Sequence, residues 1–300
     1  MKNILNVYEQ VERNKRRSYL VMLLFVTFLS LFFLGLGQIL QTEMSLIGAA
    51  VALSLLSAFS SYWWGDKIVL ALSGAEKAKK EDYFDFYTVA QNLSIASQIP
   101  MPSLYVIKSG NMNAFATGRD PDHAIICATT GLLKNLDRTE LEGVVAHEFS
   151  HILDYDIRLM TIVAVLVGTI TLLSDWILRT SSLSSKEDKR SNPLVMIVGF
   201  LGLILTPLAG KLIQLALSRS REYLADAQAA KLTRQPRGLI SALKKLKFQT
   251  QSLKTAHAAT AHLFIVNPFG AKTSALARLA TLFSTHPPLD DRINELKKMI

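Results

Sequence analysis

Two histidines and a glutamate in the run His147-Glu148-Phe149-Ser150-His151 have the types and the spacing to do chemistry together. On a helix, residues four apart project from one face, so two imidazole nitrogens can grip a single Zn²⁺ at about 2.0–2.1 Å. Glu148, between them, is placed to take a proton from a water that the metal activates. The flanks, Leu141 to Ala146 before and Ile152-Leu153 after, predict a mostly buried helix. A hydrolytic zinc site needs a third protein ligand and an open position for water. The segment Ser218-Arg219-Ser220-Arg221-Glu222-Tyr223-Leu224-Ala225-Asp226 offers one. On a helix Glu222 and Asp226 share a face. Read alone, an Arg–Glu pair is an ordinary solvated feature. Beside the two histidines, Glu222 becomes a third ligand, and Asp226 a carboxylate able to fix the tautomer of a bound imidazole.

The elements that must position these groups are strongly apolar. The chain has 300 residues, half of them hydrophobic, and a mean hydropathy of +0.26. Ser18 to Thr42 and Met44 to Gly65 carry no charge, and each is long enough to cross a hydrocarbon core about 30 Å thick. They follow one another almost directly, which predicts a membrane hairpin rather than a cleaved signal peptide. Ser191 to Gly210, extended past Lys211 to Ser218, is a third run; Leu159 to Ser174 is a shorter fourth. The net charge of +9 is placed beside these runs, as in Arg13-Asn14-Lys15-Arg16-Arg17. That favours anionic lipid over nucleic acid, and no aromatic-interleaved basic module is present. A single cysteine, Cys127, rules out an intramolecular disulfide.

The basic residues also orient the chain. Lys2, Arg13, Lys15, Arg16 and Arg17 place the N-terminal side in the cytoplasm, and Lys67, Lys77, Lys79 and Lys80 bring the chain back there after the hairpin. His151 and Glu222 are separated by the last two apolar runs, so both runs span or neither does. Ahead of the histidines, Leu104–Ile107, Asn113–Thr117 and Ala124–Ala128 read as short strands. If the second lies at a sheet edge, its N–H and C=O groups can pair with an extended substrate.

With these motifs in hand, the sequence resembles the HtpX-type membrane zinc metalloproteases, relatives of the CAAX prenyl proteases, over nearly its whole length. Asn113-Ala114-Phe115-Ala116-Thr117-Gly118, His286-Pro287-Pro288 and the following Arg292 complete the match. The resemblance implies a mainly α membrane protein, with transmembrane helices plus a zincin-like (gluzincin) α+β catalytic domain holding a small β-sheet. It implies one Zn²⁺ on His147, His151 and Glu222, with Glu148 as general base and Asp226 supporting the ligands. Asn113, Ala114, Phe115, Ala116 and Arg292 then face the substrate cleft. His286 stands near the metal, where it can donate to a developing oxyanion. Residues 1–65 form an anchor hairpin, and 66–300 a protease domain interrupted by the apolar pair 157–217. The implied setting is a bacterial inner membrane, crossed several times, with the site facing the cytoplasm. Membrane or misfolded proteins are the implied substrates, in protein quality control. A prenyl-protein processing protease is a rival, but those relatives carry more spans. A structural zinc scaffold needs four ligands, and a zinc transporter needs ligands within its apolar runs.

Overall fold

The structure, a computed structural model, describes residues 7–40, 44–183, 210, 212, 218–249, 252–253, 255, 257, 259–269 and 287–300. Two helices, α1 (Val7–Leu40) and α2 (Met44–Trp63), pack on each other, and α3 (Gly65–Ser73) follows. Next come β1 (Glu76–Lys77), α4 (Phe84–Ser97), β2 (Ser103–Ile107), β3 (Ala114–Thr117) and β4 (Ile125–Thr129). The rest is helical: α5 (Thr130–Asn135), α6 (Arg138–Leu153), α7 (Asp156–Leu183), α8 (Arg219–Thr233), α9 (Pro236–Lys247) and α10 (Leu289–Lys297). Apart from Gly210, Leu212 and Ser218, the third apolar run lies outside the described residues.

The sheet is small and mixed, in the order β1-β2-β4-β3. β2 and β4 run parallel, with Tyr105 opposite Cys127. β3 folds back antiparallel on β4, with Phe115 opposite Cys127. All residues of β3 and β4 are buried, as expected of strands covered on both faces. Their alternation separates two cores. Ala114, Ala116, Ile126 and Ala128 point into one cluster with α4, α6, α8 and α9. Phe115 and Cys127 point the other way, among residues of α1 and α7. The three strands read from the sequence are present, the third displaced by one residue; the two-residue β1 carried no readable pattern.

Helix α6 is central because its sequence starts it firmly and buries it all round. Asp137 and Glu140 form a capping box, with Glu140 N–H donating to Asp137 Oδ1 and Asp137 N–H to Glu140 Oε2, each at 2.9 Å. Glu140 is itself buried, accepting from Ser241 Oγ at 2.7 Å and Lys245 Nζ at 2.6 Å on α9. Two glycines let α6 and α9 touch backbone to backbone: a Cβ on Gly143 would lie 2.6 Å from the Leu239 nitrogen, and one on Gly238 2.5 Å from the Thr139 oxygen. At its far end α6 turns sharply into α7, through 85°, with Tyr155 left-handed at φ 59. Among the described residues no single helix is long and apolar enough to cross a membrane. The bent α6–α7 pair passes that test by length and composition, yet α6 is enclosed by protein from Val144 to Ile152.

Candidate metal centre

The middle of α6 brings the two histidine rings edge to face, with centroids 4.8 Å apart and their Nε2 atoms 3.3 Å apart. Helix α8 crosses α6 and delivers Glu222 between them. Its carboxylate oxygens lie 3.6 Å from His147 Nε2 and 3.7 Å from His151 Nε2. All three residues are buried, and one ligand atom from each falls within 4.8 Å of the others.

Both tautomers follow from their neighbours. Asp226 Oδ1 lies 3.0 Å from His147 Nδ1, and Asp156 Oδ2 lies 3.0 Å from His151 Nδ1. A carboxylate only accepts, so each Nδ1–H donates, and in the neutral imidazole that a metal requires each Nε2 then turns a lone pair inward. Two imidazole lone pairs and a carboxylate thus converge in a buried space. That donor set, two N and one O, fits Zn²⁺.

The charges around the cluster are balanced by burial and pairing. Arg292, on α10, is wholly buried. It donates from Nε and Nη2 to Asp226 at 2.8 and 2.6 Å and lies 3.6 Å from Glu222. Burial alone would raise the Asp226 carboxyl, but Arg292 and His147 hold it down at about 2. Burial would depress the His151 imidazolium, but the Asp156 hydrogen bond and the Glu222 charge push it up to about 9. Burial pushes the Glu148 carboxyl upward, with the two imidazoles opposing. Cys127 is buried and its thiol is pushed up by burial, which leaves it un-ionised and inert.

The other residues read from the sequence are placed as follows. β3 is an edge strand, and its Ala114 carbonyl points outward. It accepts from the Ile265 N–H at 3.1 Å. Asn113 is buried and clasps the same neighbouring segment. Its Nδ2 donates to the Val266 carbonyl at 2.7 Å, and its Oδ1 accepts the Val266 N–H at 3.2 Å. Phe115 meets Phe264 edge to face at 5.0 Å. The outer edge of β3 is therefore covered by residues 264–266, where the sequence reading left it free. Arg292, expected at the cleft, sits inside beneath Asp226, and His286 lies outside the described residues.

Three partners escaped the sequence reading: Asp156, Asn14 and Arg221. Asp156 stands five residues after His151, beyond the end of α6, where helical spacing says nothing. Asn14 Nδ2 donates to Asp156 Oδ1 at 2.8 Å from 142 residues away. A charged residue opening an apolar run was the one available signal.

Residues 85–300 match Peptidase family M48. The chain is a member of peptidase family M48. The M48 chain is accordingly a metallopeptidase, a hydrolase of peptide bonds. Its curated relatives carry the name Protease HtpX homolog. The one from Dictyoglomus turgidum is 41% identical over 294 residues, covering 97% of this chain and 94% of its own. The one from Thermoanaerobacter pseudethanolicus is 41% identical over 301 residues, with 98% of each chain covered. Among solved structures, the crystal structure of S. mikatae Ste24p aligns at a TM-score of 0.47 and 19% identity, over 95% of this M48 chain and 66% of that one.

Proposed function

We propose that this M48 peptidase is a zinc-dependent endopeptidase held in a bacterial inner membrane, its site facing the cytoplasm, cleaving membrane and misfolded proteins. The observation that carries the reading is the convergence of His147, His151 and Glu222 on one buried point, with Glu148 on the same helix. His147, His151 and Glu222 hold the metal, in the manner of a zincin. Zinc, when bound, lowers the pKa of a coordinated water toward about 7 and polarises the scissile carbonyl. Glu148 removes the proton from the attacking water and returns it to the leaving amine; its raised pKa brings it nearer the range where one group serves as base and then acid. Asp226 and Asp156 hold the imidazole tautomers. The β3 edge from Asn113 to Ala116 takes the substrate backbone once residues 264–266 give way there, and His286 donates to the oxyanion.

Residues 1–65 serve as the anchor hairpin, and 66–300 as the protease domain interrupted by the apolar pair 157–217. Support for a lipid setting comes from α1 and α2. Leu20, Leu23, Leu24 and Leu31 on one, and Leu53, Leu55, Leu56 and Phe59 on the other, stand exposed. Contiguous apolar surface of this kind marks a protein or membrane contact.

The test is a pair of variants assayed for zinc content and peptide cleavage. Glu148→Gln should keep its zinc and lose about 10²–10⁴ in kcat. Glu222→Ala should lose zinc. Full activity in the first, or unchanged zinc in the second, would sink the reading.

A further inference from the structure

Taking His147, His151 and Glu222 as the metal ligands, we propose that Asn14 of the N-terminal helix is a positioning residue of the metal centre, acting through Asp156 on His151. Asn14 is 2% exposed despite lying on α1, a helix whose outward face is apolar. Its amide makes two donor bonds at 2.8 Å, one to the Asp154 carbonyl and one to Asp156 Oδ1. Both acceptors sit at the α6–α7 elbow, just past His151. The other oxygen of Asp156 takes the proton of His151 Nδ1.

Arg221 closes the arrangement. Its Nη1 donates to Asp156 Oδ1 at 2.7 Å and to Asn14 Oδ1 at 3.3 Å. Arg221 immediately precedes Glu222, so the same cluster anchors the chain on both sides of the donor set. One Asp156 oxygen thus receives two donors, which fixes the carboxylate plane and leaves Oδ2 aimed at the imidazole. The carboxylate cannot rotate without breaking three bonds.

Asn14 lies outside the span that matches the family, residues 85–300. An anchor needs only apolar surface; a buried amide with both ends engaged at the elbow is chemistry an anchor does not require. Groups that hold a ligating histidine through its second nitrogen are worth about 10–100-fold in metal affinity. The N-terminal helix is then part of the metal site.

The experiment titrates zinc into the purified full-length chain, stripped of metal in detergent, against a competing chromophoric chelator. Asn14→Ala is expected to weaken zinc binding by up to about tenfold, the lower end of the range for a direct partner of a ligand, since Asn14 reaches His151 through Asp156. Asn14→Asp keeps the side chain's size but can no longer donate, and is expected to weaken it at least as much. Phe25→Ala is the control: Phe25 is buried on the same helix, among residues of α7, and its loss should lower Tm with zinc affinity unchanged. Wild-type affinity in both Asn14 variants, or an equal loss in Phe25→Ala, overturns the proposal. Glu222→Ala in the same titration keeps the two readings apart. If it loses zinc while the Asn14 variants do not, the ligand assignment stands and the role of Asn14 falls. If it binds zinc as wild type does, the ligand assignment itself has failed.

Discussion

Asp154 is a buried carboxylate at the elbow after α6, and the cluster that serves the metal site works against it. Burial and the charge of Asp156 push its pKa up to about 6, with Gln228 opposing through bonds of 3.1 and 3.3 Å. The folded state therefore keeps a proton that the unfolded chain releases near its ordinary value of 3.8. Between about pH 4 and pH 6 the contribution of Asp154 to stability falls as pH rises, and it levels off above. Asp154→Asn should remove that component, making the pH 4–6 slope less negative than in the wild type, and raise stability at pH 7 by about 1–3 kcal/mol. Denaturation between pH 4 and 7 checks it, and an unchanged slope would refute it. Residues such as these explain what was legible in the sequence. His147, Glu148 and His151 lie within about one helical turn on α6, so spacing alone singles them out as candidates. Glu222 needed only one more turn of matching spacing. Asp156 reaches His151 around a helix end, and Asn14 reaches Asp156 across the fold; no local period encodes either contact.

At the scale of elements, the site depends on how closely α9 presses on α6. A methyl at Gly143 would meet the Leu239 backbone at 2.6 Å, and a backbone cannot step aside as a side chain can. Gly143→Ala should destabilise by about 1–3 kcal/mol, a fall in Tm on the order of 5 °C; a thermal melt at unchanged Tm would refute it. The sheet holds the second case. Period-two alternation made β3 readable as a strand, because Phe115 and its neighbours face different cores. Its covering was not readable, since residues 264–266 reach it as irregular chain too short to show a period. On the reading of β3 as the substrate edge, this segment must yield to an entering peptide. Phe264→Ala removes its packing on Phe115 and should lower KM for an extended peptide several-fold, with kcat within about twofold. Steady-state kinetics decide it: a raised KM would mean that the segment helps to bind substrate.

At the scale of the whole molecule, the exposed leucines of α1 and α2 and the buried polar cluster of Asn14 belong to one hairpin with two faces. One face suits lipid, while the other is joined to the catalytic half. Alkaline washing of cell membranes should leave the chain in the pellet, as bound apolar surface resists the loss of charge pairing; recovery in the supernatant would remove the case for an integral anchor. The apolar runs made the pairing of α1 and α2 legible in outline. The inner face was not, because polar residues before an apolar run look alike whether they meet water or protein.

Arg292 is buried between Asp226, Glu222 and the His147 ring, and it leaves the ribosome after all of them. A chain still under synthesis possesses the two imidazoles long before it possesses Glu222, Asp226 or the guanidinium that neutralises them. On the reading of His147, His151 and Glu222 as metal ligands, such a chain holds two of the three, and metal affinity and folding arise together only once α8 and α10 have been made.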